Sequence, residues 1–150
     1  MQLTRQSDYA IRLLMALARQ PANRPLPARM AAEQLGVPED FLHKTIQVLA
    51  RAGLVATQKG PQGGVRLTGI PEEITLAQVI TAVEGPLAIN PCLRQSLYCP
   101  RQEGCAARKF LGRLQQLIQT ELAAETIAGL VAEEDGIRRP EATRRENNVL

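Results

Sequence analysis

Three cysteines have the spacing that most directly suggests chemistry in this chain: Cys92, Cys99 and Cys105. They fall within a segment of 14 residues, and the rest of the chain has none. The N-terminus lacks the long apolar stretch of a signal peptide, so we expect a cytoplasmic protein, in which an odd number of cysteines does not form a disulfide framework. In that compartment, clustered cysteines more often bind metal or take part in redox chemistry.

The gaps between the cysteines discriminate among kinds of metal site. Six and five residues separate them, whereas structural zinc uses closely spaced pairs and four ligands. Three thiolates on a proline-rich loop can instead hold an iron–sulfur cluster, provided that a fourth ligand comes from elsewhere. Three buried free thiols, a dithiol switch and a degenerate site that loads no metal are the alternatives.

Basic residues are concentrated in the first half of the chain. Residues 1–67 contain nine Lys or Arg and four Asp or Glu, whereas the whole chain has a net charge of +3. This excess favours an anionic partner, above all double-stranded DNA. We expect no enzyme and no substrate, because the chain has a single histidine and its scattered carboxylates are interpreted as solvated surface: Glu72, Glu73 and Glu84.

The apolar pattern predicts the elements that position these groups. Apolar periodicity and helix-breaking residues predict helices over 4–19, 27–35, 38–52, 75–84 and about 106–123. Two β-prone runs, 54–58 and 65–68, flank a Gly/Pro-rich link and predict a hairpin. Aromatic residues make up only 3% of the chain, which favours a helical core of Leu, Ile, Val and Ala. We therefore predict a mainly α protein, a winged helix-turn-helix with a small β-hairpin wing and a long C-terminal dimerisation helix.

Composition divides the chain into four parts. Residues 1–85 form the predicted DNA-binding domain, 86–105 the cysteine loop, and 106–132 the dimerisation helix with a short helix after it. Residues 133–150 are charged and have no apolar stripe, so we expect disorder there. No apolar run approaches the roughly 18–20 residues of a membrane span. The wide apolar face of the long helix predicts a homodimer; its members are Phe110, Leu111, Leu114, Leu117, Ile118 and Leu122.

The segment 28–52 has the spacing of a helix-turn-helix. Ala32 is the small residue where two helices cross, Gly36 supplies positive φ in the turn, and Leu42 is the apolar residue that locks the second helix. That second helix enters the major groove in such motifs. Its apolar residues should face the core, which leaves a polar outer face of Asp40, His43, Lys44 and Gln47. Lysine can contact guanine or phosphate, and glutamine can pair with adenine.

Two further segments predict contacts to DNA. The hairpin link combines glycines, which let backbone approach the minor groove or phosphates, with flanking basic residues: Lys59, Gly60, Gly63, Gly64 and Arg66. At the start of the first helix, hydroxyls, a guanidinium and free N–H groups predict phosphate contacts by Thr4, Arg5 and Ser7.

Taken together, these motifs resemble the IscR/NsrR-type regulators of the Rrf2 family over about residues 1–132. The resemblance rests on three cysteines before a long helix and on the segments Met1-Gln2-Leu3-Thr4, Asp8-Tyr9-Ala10 and Gly60-Pro61-Gln62-Gly63-Gly64. It implies a dimeric winged-helix transcription factor whose cysteines bind an iron–sulfur cluster. We expect a repressor, with an activator as the alternative, and we favour a 4Fe-4S cluster over a 2Fe-2S cluster. The resemblance also implies that the long helix forms the dimer interface and packs on the partner's DNA-binding domain.

The cysteine loop departs from one branch of that family. The IscR-like branch resembles two gaps of five residues followed by a histidine; here the first gap has six residues and Arg108 stands at the histidine position. The nitric-oxide-sensing NsrR-like branch carries Asp in the first helix, which Asp8 matches. The resemblance therefore implies Asp8, supplied by the partner subunit, as the fourth ligand. Glu103, inside the loop, is the local rival.

The resulting hypothesis is a repressor controlled by a cluster that senses nitric oxide, redox state or iron and cluster status. One alternative keeps DNA binding without the cluster, as a regulator that responds to thiol redox state or to a small molecule. The other is an iron–sulfur carrier or electron-transfer protein, against which the basic first half and the hairpin both count.

Overall fold

The computed structural model of the chain describes residues 3–21, 24–94, 98–101 and 103–146, with side chains through 137. Met1 and Gln2 of the opening motif lie outside the described residues. The elements follow in the order α1 (Arg5–Ala18), α2 (Ala28–Leu35), α3 (Glu39–Arg51), β1 (Val55–Gln58), β2 (Gly64–Leu67), α4 (Leu76–Glu84), the 3-10 turn η1 (Pro91–Leu93), α5 (Ala106–Ala124) and α6 (Ile127–Glu146). The predicted mainly helical winged fold is confirmed.

Helix α1 lies at the centre of the core. Its apolar residues occupy more than one side, and it contacts α2, α3, α4, α6 and β2. Leu13 and Leu14 are fully buried, and each such leucine contributes about 1.5–3 kcal/mol through its removal from water. Around α1 the core is completed by residues from the other elements, among them Leu42, Leu49, Val79, Ile80 and Ile127.

The turn between α2 and α3 has the predicted helix-turn-helix geometry. Gly36 has φ of 63°, and its N–H donates to the carbonyls of Ala32 and Glu33. A side chain at this position would be strained, because L-residues disfavour the left-handed region. Ala32 is 5% exposed and Leu42 is fully buried, as the motif requires.

The two strands form an antiparallel hairpin, with Val55 opposite Leu67 and Gln58 opposite Gly64. Its glycines have a reason within the fold. A side chain on Gly64 would collide with the backbone of Leu26, because the N–H groups of Leu26 and Val65 each donate to the other's carbonyl at 2.8 Å. A Cβ on Gly63 would likewise meet the carbonyl of Gln58.

Helix α4 begins with the predicted capping box. The Thr75 hydroxyl accepts from the Gln78 N–H, and the Gln78 side chain accepts from the Thr75 N–H, which satisfies two N–H groups that the first turn would leave unpaired. Farther along the helix, Val79 and Ile80 are buried in the core.

The sequence predicts disorder from residue 133, whereas helix α6 extends through that stretch as far as Glu146; residues 147–150 lie outside the described part of the chain. The start of α6 is held by Ile127, which is fully buried. Farther along, Arg19 of α1 donates to Glu134 at 2.6 Å and to Asp135 at 3.0 Å. These long-range ion pairs stabilise a segment whose own sequence has no apolar stripe.

Within the described residues, no helix is long and apolar enough to cross a membrane.

Candidate functional site

The outer face of α3 is polar and open. Asp40, His43, Lys44 and Gln47 are all exposed, while the inner face packs into the core through Leu42, Ile46 and Leu49. Nε2 of His43 lies 3.5 Å from a carboxylate oxygen of Glu39 one turn earlier. The residues predicted to face the major groove therefore share one accessible surface.

An aromatic contact joins α3 to α1, and a buried hydroxyl is satisfied within α3 itself. The Phe41 ring is half-buried and meets Tyr9 of α1 edge-on, with ring centroids 5.4 Å apart, an arrangement that aromatic quadrupoles favour. Thr45 is fully buried, and its hydroxyl donates to the Phe41 carbonyl at 3.1 Å. The helical spacing of apolar residues did not identify Thr45, because its polar side chain is satisfied by its own helix.

The basic residues of the hairpin differ in exposure. Lys59 and Gly60 are exposed at the tip, and Arg66 is half-buried on β2. Because Gly63 and Gly64 are explained by close backbone packing within the fold, their glycine identity no longer argues for contact with DNA. Contact with DNA remains a proposal for Lys59, Gly60 and Arg66.

The start of α1 is organised by Glu84, the last residue of α4. Its Oε1 accepts from the Thr4 amide at 2.9 Å, the Thr4 hydroxyl at 2.6 Å and the Ser7 hydroxyl at 2.5 Å. The bonds from Ser7 and then Thr4 lower the pKa of Glu84 below its ordinary value. Glu84 is thus a structural partner of α1 rather than only solvated surface.

Ser7 cannot serve as a phosphate contact in this arrangement. It is fully buried, and its hydroxyl is engaged by Glu84. The Thr4 hydroxyl also donates to Glu84 and caps α1 by accepting from the Ser7 N–H. Arg5 is exposed and remains the candidate at this end of α1.

Asp8 lies on the solvent side of α1, at a groove of about 670 Å³ between α1 and α6. Its Oδ1 accepts from Arg12 Nε at 2.9 Å, with both side chains more than half exposed. An exposed pair of this kind contributes at most about 1 kcal/mol, so the carboxylate can exchange Arg12 for another partner.

The cysteine loop follows α4 and ends at the start of α5. Cys92 lies in η1, where its N–H donates to Asn90 Oδ1 at 3.1 Å. Cys105 caps α5, and its Sγ accepts from the Arg108 N–H at 3.4 Å. Cys99 lies between them. All three thiols are half-buried and free of disulfides, and Glu103 is exposed.

The donor set has the chemistry of an iron–sulfur site but is not assembled within one described chain. Across the part of the chain that the structure describes, no three His, Cys, Asp or Glu residues converge to hold a metal. Three accessible thiols on one loop fit the group, provided that the loop closes around it and a fourth ligand is added.

Helix α5 has two different sides. Phe110, Leu114 and Leu117 are exposed by 56%, 38% and 66%, and their spacing of four and three residues places them on one stripe. The other side faces its own chain, where Leu111, Gln115 and Ile118 are half-buried. Ile118 therefore does not belong to the exposed stripe.

Comparison with known proteins identifies the family. A family model named Rrf2 and described as an iron-dependent transcriptional regulator matches residues 3–133. The chain belongs to the Rrf2 family. Among curated relatives, the HTH-type transcriptional regulator NsrR of Shouchella clausii is 32% identical over 139 residues, which cover 92% of this chain and 93% of the relative. Members of this kind are DNA-binding transcriptional regulators, not enzymes.

Solved structures show the same Rrf2 fold. CymR of B. subtilis, titled the global cysteine regulator, has a TM-score of 0.75 at 24% identity, covering 89% of this chain and 98% of that one. IscR of T. potens has a TM-score of 0.71 at 23% identity, covering 89% and 88%. At these identities the likeness shows the winged-helix fold and not the signal.

Proposed function

We propose that this Rrf2 regulator is a homodimeric repressor whose affinity for operator DNA is controlled by an iron–sulfur cluster. The observation that carries the proposal is the placement of three free, half-buried thiols on a loop that leads directly into the long helix α5. Cys92, Cys99 and Cys105 would hold the cluster, 4Fe-4S rather than 2Fe-2S. When bound, the cluster supplies iron that reacts with nitric oxide or oxidants.

Asp8 of the partner subunit is the proposed fourth ligand. Its carboxylate is more than half exposed and pairs with Arg12, and an exposed pair of this kind is weak enough for ligation to displace it. A carboxylate binds iron less tightly than thiolate does, which suits a site that must react. Glu103 is exposed in the loop and is the competing ligand within the same chain.

The exposed stripe of α5 is the proposed dimer interface. Phe110, Leu114 and Leu117 leave a large apolar area in water, and its burial against a second copy of α5 is favourable at about 25 cal/mol per Å². Pairing of the two helices would also fix the distance between the two α3 recognition helices, which a palindromic operator requires.

The path from the loop to DNA runs through short covalent and hydrogen-bonded connections. Glu84 ends α4 and holds the start of α1, and the cysteine loop begins two residues later at Pro86. A rearrangement of the loop would therefore be felt both at α1 and along α5. The signal can shift DNA affinity only as far as its binding differs between the two arrangements.

A second candidate is a cluster-free regulator that responds to thiol oxidation or to a small molecule. It is favoured by the three free, half-buried thiols of the cysteine loop, because a pair of thiols can be oxidised to a disulfide without any cluster.

The anaerobic absorption spectrum of freshly purified protein separates the two candidates. We expect visible absorption that each of Cys92→Ala, Cys99→Ala and Cys105→Ala abolishes. Asp8→Ala should alter the spectrum or speed its loss, whereas Glu103→Ala should not. A colourless protein whose DNA binding still responds to thiol oxidation would contradict control by a cluster and favour the second candidate. If Asp8→Ala leaves the absorption spectrum and its rate of loss unchanged while Glu103→Ala alters them, the fourth ligand lies inside the loop.

A further inference from the structure

Two side chains on the inner side of α5 reach the backbone of the cysteine loop. Arg108 Nε donates to the Cys92 carbonyl at 3.1 Å, and Gln115 Oε1 accepts from the Ile89 N–H at 3.2 Å. Gln115 follows Arg108 by seven positions, which is about two helical turns, so both side chains lie on the same side of α5. They engage the first half of the loop at two points along the helix.

Arg108 also connects the first and the third cysteine of the loop. Its guanidinium holds Cys92, while its own N–H donates to the Sγ of Cys105 at 3.4 Å. The position of Cys92 is further fixed by Asn90, whose side chain accepts from the Cys92 N–H. A charged donor on a backbone carbonyl makes a stronger hydrogen bond than a neutral one.

We propose that Arg108 and Gln115 form a clamp that holds residues 89–93 against α5 and so sets the position of Cys92 relative to Cys105 before any cluster is bound. Both are positioning residues, because neither need touch iron. The consequence for cluster loading rests on the proposed function, but the clamp itself does not. Arg108 thus acts on the cysteine loop without being a ligand.

The clamp is tested first on full-length, cluster-free protein by amide hydrogen exchange. Arg108→Ala should raise the exchange rate of the Cys92–Arg94 amides about tenfold, the scale of one lost charge-assisted hydrogen bond. Gln115→Ala should do the same for the Ile89 amide, and Arg108→Lys should fall between Arg108→Ala and the parent. Lys109→Ala and Gln116→Ala are the matched controls, since both residues are exposed on α5.

Thiol alkylation on the same cluster-free samples gives a second measure. Cys92 should react faster in Arg108→Ala, while Cys99, which the clamp does not touch, serves as the internal reference. All variants should keep the parent's melting temperature within a few degrees, because the substituted side chains lie outside the fully buried core. Unchanged exchange and unchanged alkylation in both clamp variants would overturn the clamp.

Cluster loading is then measured with ferrous iron, sulfide and a thiol reductant under anaerobic conditions. We expect Arg108→Ala to load less cluster or to lose its visible absorption several-fold faster, with Arg108→Lys partly restoring the parent behaviour. If Arg108→Ala speeds amide exchange in the cysteine loop but loads cluster as the parent does, Arg108 does not position the loop for cluster binding. If the parent itself loads no cluster, the proposed function fails, and the exchange measurement still decides the clamp.

Discussion

The winged helix buries Leu13, Leu14 and Leu42 completely, whereas none of the 19 residues of α5 is fully buried. The first region closes its apolar core within one chain. The second holds its loop by hydrogen bonds to backbone and leaves Phe110, Leu114 and Leu117 in water. The contrast supports the proposal made above, in which a second chain covers the exposed stripe of α5 and a cluster is held by the cysteine loop.

The largest expected effect comes from charging the exposed stripe. Leu117→Glu should convert the dimer to monomers in light scattering at micromolar concentration, because it places a carboxylate in the apolar interface. Loss of the second half-site contact should weaken DNA binding by about a hundredfold. The far-UV spectrum should keep the helical content of the winged helix.

Gln116→Glu is the matched control, since it adds the same charge at the neighbouring exposed position. It should leave the dimer intact. A Leu117→Glu protein that remains dimeric would show that the two regions do not differ in the way proposed.

Substitutions within the DNA-binding part should have smaller and more specific effects. Lys44→Ala on α3 should relax the base preference in competition with altered duplexes, at a cost of about 1–3 kcal/mol at the preferred site. Lys59→Ala on the hairpin should weaken all duplexes alike and reduce the salt slope by about one. If both variants bind like the parent at matched salt, the assignment of α3 and the hairpin to DNA is wrong.

The smallest expected effect concerns Glu84, which holds the start of α1 within the winged helix, two residues before the cysteine loop. Its pKa is lowered by hydrogen bonds from Ser7 and Thr4, so the ionised form stabilises the folded state above the ordinary glutamate pKa. That stability is lost as the pH falls through the lowered value. Thermal melts of the parent should show this loss in acid, and Glu84→Gln should show less of it. Equal acid dependence in both proteins would exclude a role for this carboxylate.

Local signals made most of the winged helix predictable. The capping box at Thr75, the positive φ at Gly36 and the apolar spacing that buries Leu42 each depend on residues a few positions apart. The hairpin boundaries likewise follow from a Gly/Pro-rich link between two β-prone runs. Such signals are present in the sequence before any tertiary contact forms.

The features that could not be predicted depend on contacts between distant residues. Glu84 meets Ser7 across 77 positions, and Arg19 meets Glu134 across 115. The first contact removes Ser7 from the DNA surface, and the second extends α6 where charge alone suggested disorder. The groove beside Asp8 also has no local signature, because residues of α1, α2 and α6 line it together.

We propose above that the state of the cysteine loop sets the affinity of the winged helix for DNA. The most direct test is anaerobic binding of one preparation before and after removal of the cluster, at matched salt, to duplexes selected from random sequence with each form. We expect Kd for a selected duplex to differ by at least about fivefold between the two forms, the lower end of usual allosteric coupling. We also expect Cys99→Ala to match the cluster-free form under both conditions. Equal affinity of the cluster-loaded and cluster-free parent for every selected duplex would contradict the claim.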